Sequence, residues 1–196
     1  SLTVLDPYKQ KDFFTAHKLL MEGLIKEPGK YRTSSVGIMK GENVTHMAPT
    51  ANMVSGLMND LFNYLKKDDD LELIKSCVFH YEMEFIHPFE DGNGRIGRLW
   101  QTRILMNVNP IFEYVPIEKL IKENQKEYYN ALETADNTGK STVFIEFMLK
   151  MINQTLEETI NEASPKNPDF EKRTNIALQK LQGWFDRKKY MEICKG

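Results

Sequence analysis

His87-Pro88-Phe89-Glu90-Asp91-Gly92-Asn93-Gly94-Arg95-Ile96-Gly97-Arg98 decides the fold, because its glycines mean different things after a strand and after a helix. Gly92, Gly94 and Gly97 satisfy Gly-x-Gly-x-x-Gly literally. Behind a strand, that pattern would announce a doubly wound α/β domain and a dinucleotide site. Leu71 to His87 reads otherwise: Leu73, Ile74, Val78, Tyr81 and Phe85 belong to a long helix that Pro88 breaks. The dinucleotide reading therefore fails on context. A calcium loop fails on chemistry, since aligning Gly94 with the obligatory glycine puts Phe89 and Trp100 where oxygen ligands are needed.

Outward from this stretch the periodicity stays helical. Arg95 to Val108 continues as a helix that Asn109-Pro110 ends. Upstream, Asp6-Pro7 is expected to cap a helix carrying Phe13, His17, Leu20, Met21 and Leu24 on one face, stopping near Pro28-Gly29. Val54, Leu57, Met58, Leu61, Phe62 and Leu65 repeat the pattern between Pro49-Thr50 and Asp68-Asp69-Asp70. Between these helices, Val36 and Ile38 alternate, Lys40 to Asn43 has turn chemistry, and Val44 and Met47 suit a return strand. Two further helices are expected over Ile117 to Ala135 and Thr142 to Ile160, then a linker at Ser164 to Phe170. The predicted class is all-α with one small β-hairpin.

The composition narrows the function classes. With 26 Lys+Arg against 28 Asp+Glu the net charge is −2, which gives no whole-chain case for binding nucleic acid or an anionic membrane. Hydrophobic residues make up 41% and aromatic ones 11%, enough for a real core. Two cysteines, Cys77 and Cys194, cannot build a disulfide scaffold and point to a reducing, cytoplasmic setting. No apolar run approaches the ~18 residues of a membrane span. The balance is uneven along the chain: residues 171–196 carry +4 and the preceding 170 carry −6.

The glycine-rich stretch can build a phosphate site. Gly92-Asn93-Gly94 turns the chain and presents N–H groups at the start of a helix, a natural anion cradle. Arg95 and Arg98 lie three apart on one helix face and can reach the same anion. Asp91 is a hard oxygen ligand suited to Mg2+ shared with phosphates. His87 titrates near neutrality and can take a hydroxyl proton. Singly, each feature is ordinary: a helix-end His is a packing residue, Gly-Asn-Gly a turn, and paired arginines a solvated face. Their joint occurrence supplies a base, a metal ligand, an anion cradle and a charge clamp, the parts of a phosphoryl or nucleotidyl transfer. Cys77-x-x-His80 with His87 lacks a fourth zinc ligand at sensible spacing.

His-Pro-Phe-x-Asp-Gly-Asn-Gly-Arg-x-x-Arg resembles, without a substitution, the signature of the Fic family (filamentation induced by cAMP). Gly29-Lys30-Tyr31-Arg32 through Pro49 looks like that family's flap hairpin, and Tyr128-Tyr129-Asn130-Ala131-Leu132 with Phe144-Ile145-Glu146-Phe147 like its downstream helices. The resemblance covers about residues 8 to 155 and implies a compact Fic-type helical domain over 1–163. It also implies AMPylation, the transfer of AMP from ATP to a hydroxyl of a target protein. Carried over by position, His87 is the general base and Phe89 a core anchor. Asp91 holds Mg2+; Gly92, Asn93 and Gly94 cradle the phosphates, and Ile96 and Gly97 are expected among the nucleotide-binding residues. Arg95 and Arg98 clamp the β- and γ-phosphates. Val36, Gly37, Ile38 and Met39, with Tyr128 and Tyr129, line the adenosine pocket. Position 136 is Asp where many relatives have Asn, and it receives no role. The resemblance also implies a target segment docked on the flap as an added strand.

Relatives are often inhibited by a helix bearing Ser/Thr-x-x-x-Glu-Gly/Asn, and the nearest match, Thr142-x-x-x-Glu146, is followed by Phe147. The abrupt Ser1-Leu2 start leads to the expectation of a fragment lacking its inhibitory segment, or of inhibition by another chain such as an antitoxin. The basic segment 171–196 resembles the start of a winged-helix module, so a DNA partner is expected only through residues beyond Gly196. An amphipathic helix docked through Trp184 and Phe185 fits that segment equally well. Two rival functions remain beside AMP transfer: a nucleotide-binding regulatory module without turnover, and removal of AMP from a modified protein.

Overall fold

The computed structural model describes residues 2–40 and 43–163. Seven helices and one hairpin order the described chain: α1 (Gln10–Met21), β1 (Gly37–Lys40), β2 (Asn43–Met47), α2 (Ala51–Lys67), α3 (Glu72–Ile86), α4 (Asn93–Leu105), α5 (Ile117–Glu123), α6 (Gln125–Thr138) and α7 (Thr142–Ala163). The all-α expectation with a hairpin holds. The chain divides into two compact units, Ser1–Thr155 and Leu156–Gly196, and the hairpin and α1 to α6 belong to the first. The expected linker at 164–170 and basic segment at 171–196 lie outside the described residues.

The core forms where α1, α2, α3 and α4 turn their apolar faces together around Phe13. That ring meets Phe62, Phe79 and Trp100 edge-on, with centroids 5.6, 5.8 and 5.1 Å away. Such pairs add about 0.5–1.5 kcal/mol each beyond the burial of their surface. Trp100 satisfies its indole N–H by donating to the Pro7 carbonyl at 3.1 Å, which ties α4 to the segment before α1. Consecutive α3 and α4 form the most extensively packed helix pair, with the glycine-rich stretch as their connection.

Three boundaries differ from expectation for local reasons. α1 begins at Gln10, not Pro7. The Asp6 carboxylate accepts from the Tyr8 N–H at 3.0 Å, and the Asp6 N–H donates to Asp12 at 2.8 Å, so the predicted cap is spent on a turn ahead of the helix. The same helix ends at Met21, leaving Leu24 64% exposed. The single helix expected over Ile117 to Ala135 is two, broken at Asn124, whose amide donates to the Leu120 carbonyl at 2.9 Å and competes with the helical ladder.

β1 and β2 pair antiparallel with Gly37 opposite Met47, Ile38 opposite His46, Met39 opposite Val44 and Lys40 opposite Asn43. Thr45 is therefore an extra residue in β2, a bulge that bends the hairpin. β2 runs beside α6, which brings the flap backbone near the helix that carries Tyr128 and Tyr129. Among the described residues, no helix is long and apolar enough to cross a membrane.

Candidate active site

His87 caps the C-terminus of α3 in the left-handed conformation, φ 50 and ψ 58. Pro88 disfavours the right-handed helical conformation for the residue before it, so the helix must end here. The left-handed alternative costs a non-glycine residue about 1–3 kcal/mol. It is held by the His87 N–H donating to the Met83 carbonyl at 3.0 Å and by the His87 carbonyl accepting from Arg32 Nε at 2.7 Å. The half-buried imidazole is thereby carried at a fixed helix end.

The loop from Phe89 to Asn93 is closed from within. Asn93, 2% exposed, accepts from the Phe89 N–H at 2.8 Å and donates to the Phe89 carbonyl at 2.9 Å. Phe89 is fully buried and stacks on His17, with ring centroids 3.6 Å apart and planes 6° from parallel. His17 accepts from the Gly29 N–H at Nδ1, 2.9 Å, so its proton lies on Nε2 and is donated to the Asp91 carbonyl at 2.9 Å. Burial holds this imidazole below its ordinary pKa, against the pull of the Asp91 carbonyl, and so favours the neutral form. One buried ring therefore joins α1, the segment before the flap, and the loop that carries Asp91.

The next residues open α4. Gly92 lies at φ 83, and a Cβ there would sit 2.6 Å from the Met21 sulfur. The N–H groups of Asn93, Gly94 and Arg95 stand in the first turn, where no intrahelical carbonyl reaches them. With the helix dipole, they make a cradle for an anion. At Gly94 a Cβ would meet Arg98 Nη1 at 2.9 Å, so a side chain there would displace that guanidinium. Asp91 points its carboxylate across this turn, accepting from the Gly92 N–H at 2.6 Å and from Arg95 at 3.3 Å, and the side chain is 62% exposed. One exposed carboxylate beside an anion cradle is a donor set that fits Mg2+ shared with substrate phosphates. Among the described residues, no cluster of three or more His, Cys, Asp or Glu side chains forms a self-sufficient metal cage.

Arg98 is already engaged. Its Nε and Nη2 make a two-pronged contact with the Glu118 carboxylate in the first turn of α5, the Nη2 bond at 2.9 Å. Beneath it, on α3, lies Glu84, its side chain 13% exposed. Burial pushes the Glu84 carboxyl up to about 7, with the Arg98 charge opposing. Gly94 and Gly97 pass over this carboxylate, with Cβ positions 3.4 and 3.5 Å from its Oε1. The first turns of α4 thus cover Glu84 at ordinary contact distance.

Apart from Val36 to Met39, which lie just before and within β1, the expected residues sort into three places. His87, Asp91, Gly92, Gly94, Arg95 and Arg98 converge around the loop and the first turns of α4. Ile96 is fully buried in the core, and its N–H is spent on the Gly92 carbonyl at 2.9 Å. Gly97 packs on α3, so Ile96 and Gly97 support the turn from behind. Tyr128 is 3% exposed and bonded to buried His80 at 3.1 Å, whereas Tyr129 is 43% exposed. The other His80 nitrogen donates to the Gln101 oxygen at 2.6 Å, which engages both ring nitrogens within the protein. Asp136 accepts from the Tyr81 hydroxyl at 2.9 Å. Arg32, His17, Glu84 and Glu118 were not singled out by spacing, since each acts across 20 to 74 residues of chain or from the unremarkable face of a helix.

Residues 7–105 match the model of the Fic/DOC family. A probable protein adenylyltransferase of Aquifex aeolicus (strain VF5) is 27% identical over 176 residues, covering 73% of this chain and 54% of that one. The protein adenylyltransferase Fic of Nematostella vectensis is 30% identical over 136 residues, 67% of this chain and 29% of its own. In three dimensions, a Fic family protein from Desulfovibrio desulfuricans G20 superposes with a TM-score of 0.80 at 39% identity, covering 99% of this chain and 59% of that one. The chain spans about half, or less, of the length of the curated relatives it matches.

Proposed function

The chain belongs to the Fic/DOC family, and on that premise we propose that it transfers AMP from ATP to a hydroxyl side chain of a target protein, releasing pyrophosphate. The observation that carries this reading is the pairing of a base with an anion cradle across one locked loop: His87 at the end of α3, the open N–H groups at the start of α4, and Asn93 closing the turn between them. Relatives named protein adenylyltransferase support it from outside the structure.

In this mechanism His87 takes the proton of the target hydroxyl. The oxygen forms a bond to the α-phosphorus, and the bond from that phosphorus to the α–β bridging oxygen breaks. Its electron pair leaves on pyrophosphate. The main-chain N–H groups of α4 and Arg95 receive the phosphates, and Arg98 joins them once Glu118 yields. Asp91 would hold Mg2+ together with the phosphates, and that ion would supply neutralisation of the leaving group's charge. The flap, with Val36 to Met39, and exposed Tyr129 would border the adenosine, and the target would lie along the flap as an added strand. Both partners, ATP and a protein target, are part of the proposal.

The test uses ATP labelled at the α- or the γ-phosphate, with wild type and His87→Ala. Label from the α-phosphate on protein, lost in His87→Ala, is the expected result. Label from the γ-phosphate would mean kinase chemistry and refute it, and tight ATP binding with no transfer would favour a regulatory module.

A further inference from the structure

Arg32 stands outside the glycine-rich stretch and outside both flap strands, yet it is only 5% exposed. Its guanidinium donates to four main-chain carbonyls: Nε to His87 at 2.7 Å, Nη1 to Ser34 at 2.7 Å, and Nη2 to Pro49 at 2.5 Å and Ile86 at 3.2 Å. Its own N–H donates to the Pro88 carbonyl at 2.9 Å. Ser34 precedes β1 and Pro49 follows β2, so these are the two stems of the hairpin. Ile86 and His87 carry the last carbonyls of α3. Among the described residues, no carboxylate is bridged to this arginine.

A buried cation without an acidic partner needs another source of compensation. The negative end of the α3 dipole and a nearly complete set of hydrogen bonds supply it here. Packing alone does not require a guanidinium at this place, because an apolar side chain can fill a core without desolvating a charge. What the planar five-donor fork does, and a lysine point charge cannot, is fix several carbonyls relative to one another at once. Two of them belong to the flap and two to the helix end that carries His87. The His87 carbonyl is also the one whose orientation accompanies the left-handed conformation.

We propose that Arg32 is a positioning residue that sets the register between the flap and His87, and so the placement of a hydroxyl docked on the flap relative to the base. This use of the register rests on the AMP-transfer reading. The mechanical coupling of flap and helix end rests on the geometry alone.

The test compares wild type, Arg32→Lys and Arg32→Gln, with His87→Ala as the inactive control, all in the full chain. Hydrogen exchange followed by mass spectrometry is expected to rise about tenfold together over residues 33–36, 48–50 and 86–89 in both Arg32 variants, with α2 unchanged. With α-labelled ATP, Mg2+ and a mixture of serine, threonine and tyrosine peptides as acceptors, Arg32→Lys is expected to lower the transfer rate at saturating ATP about tenfold. The ATP dissociation constant should stay within about twofold, because misplacement of the acceptor costs rate and not nucleotide affinity. Exchange that rises everywhere, or in flap and helix end separately, overturns the proposal, as does nucleotide affinity falling in step with rate. If wild type transfers no label, the AMP-transfer reading fails, and the exchange pattern still decides the coupling. Loss of cooperative unfolding in both variants would make Arg32 a folding determinant and overturn the positioning role.

Discussion

Replacing Glu118 with Gln keeps the shape of the side chain that faces Arg98 but removes its charge. In the structure that charge occupies two of the guanidinium donors that the proposed function assigns to a terminal phosphate. Burial of Arg98 disfavours its cation, and the Glu118 contact, with Tyr128 and Glu84 adding to it, more than offsets this and raises the pKa. The magnitude is limited by exposure: the Glu118 side chain is 69% exposed and that of Arg98 18%. Pairs open to solvent are worth about 0.2–1 kcal/mol, and the two-pronged geometry places this one near the upper end. A phosphate that must displace Glu118 loses that amount, so Glu118→Gln is expected to tighten ATP binding by up to about fivefold. Titration calorimetry with ATP and Mg2+ at low salt measures it, with AMP as the ligand lacking terminal phosphates. The gain should appear with ATP, be absent with AMP, and shrink at high salt as screening weakens the pair. Glu123→Gln, which removes a charge paired with Lys119 on the same helix, controls for net charge. An equal gain for AMP, or for Glu123→Gln, would refute competition at Arg98.

Two further substitutions probe the floor of the site. Glu84 is buried with its carboxyl raised to about 7, so the folded state favours the protonated form, and its contribution to stability declines as pH rises from the ordinary carboxylate range through 7. Glu84→Gln should therefore gain stability relative to wild type between pH 5 and pH 8, by on the order of 2 kcal/mol, read by denaturant unfolding at both pH values. A pH-independent difference would show that the charge is not the cause. Gly92→Ala places a methyl at φ 83 and 2.6 Å from the Met21 sulfur. Positive φ and overpacking together cost about 3 kcal/mol, or roughly 10 °C in Tm for a domain of this size. An unchanged Tm would mean the loop relaxes freely and does not hold His87 and α4 in register.

The motif was legible because its parts are adjacent in sequence. His87, Asp91, the Gly92–Gly94 turn and the two arginines converge through one helix–loop–helix connection, so spacing alone placed them together. Helix existence was equally legible, since Phe13 and Phe62 lie on apolar stripes that only a helix aligns, whereas on α3 the stripe of Leu73, Ile74, Val78, Tyr81 and Phe85 marked the helix but not its core face, which carries Phe79, Met83 and Ile86. Two of the boundaries that moved turned on side-chain hydrogen bonds, at the Asp6 turn and the Asn124 amide, which periodicity does not encode. The residues that spacing missed share a different cause. His17, Arg32 and Glu118 act on the motif through main-chain carbonyls or across helices, and partners brought together by folding leave no periodic trace. Tyr128 shows the converse. Expected at the adenosine pocket by position, it is 3% exposed and shares a 3.1 Å hydrogen bond with buried His80, a contact that no spacing announces. The chemistry of this site is therefore local in sequence, and its register is not: Arg32 reaches 55 residues forward to the His87 carbonyl, and His17 reaches 74 to that of Asp91. Substitutions at those two distant anchors separate the machinery from what holds it in place.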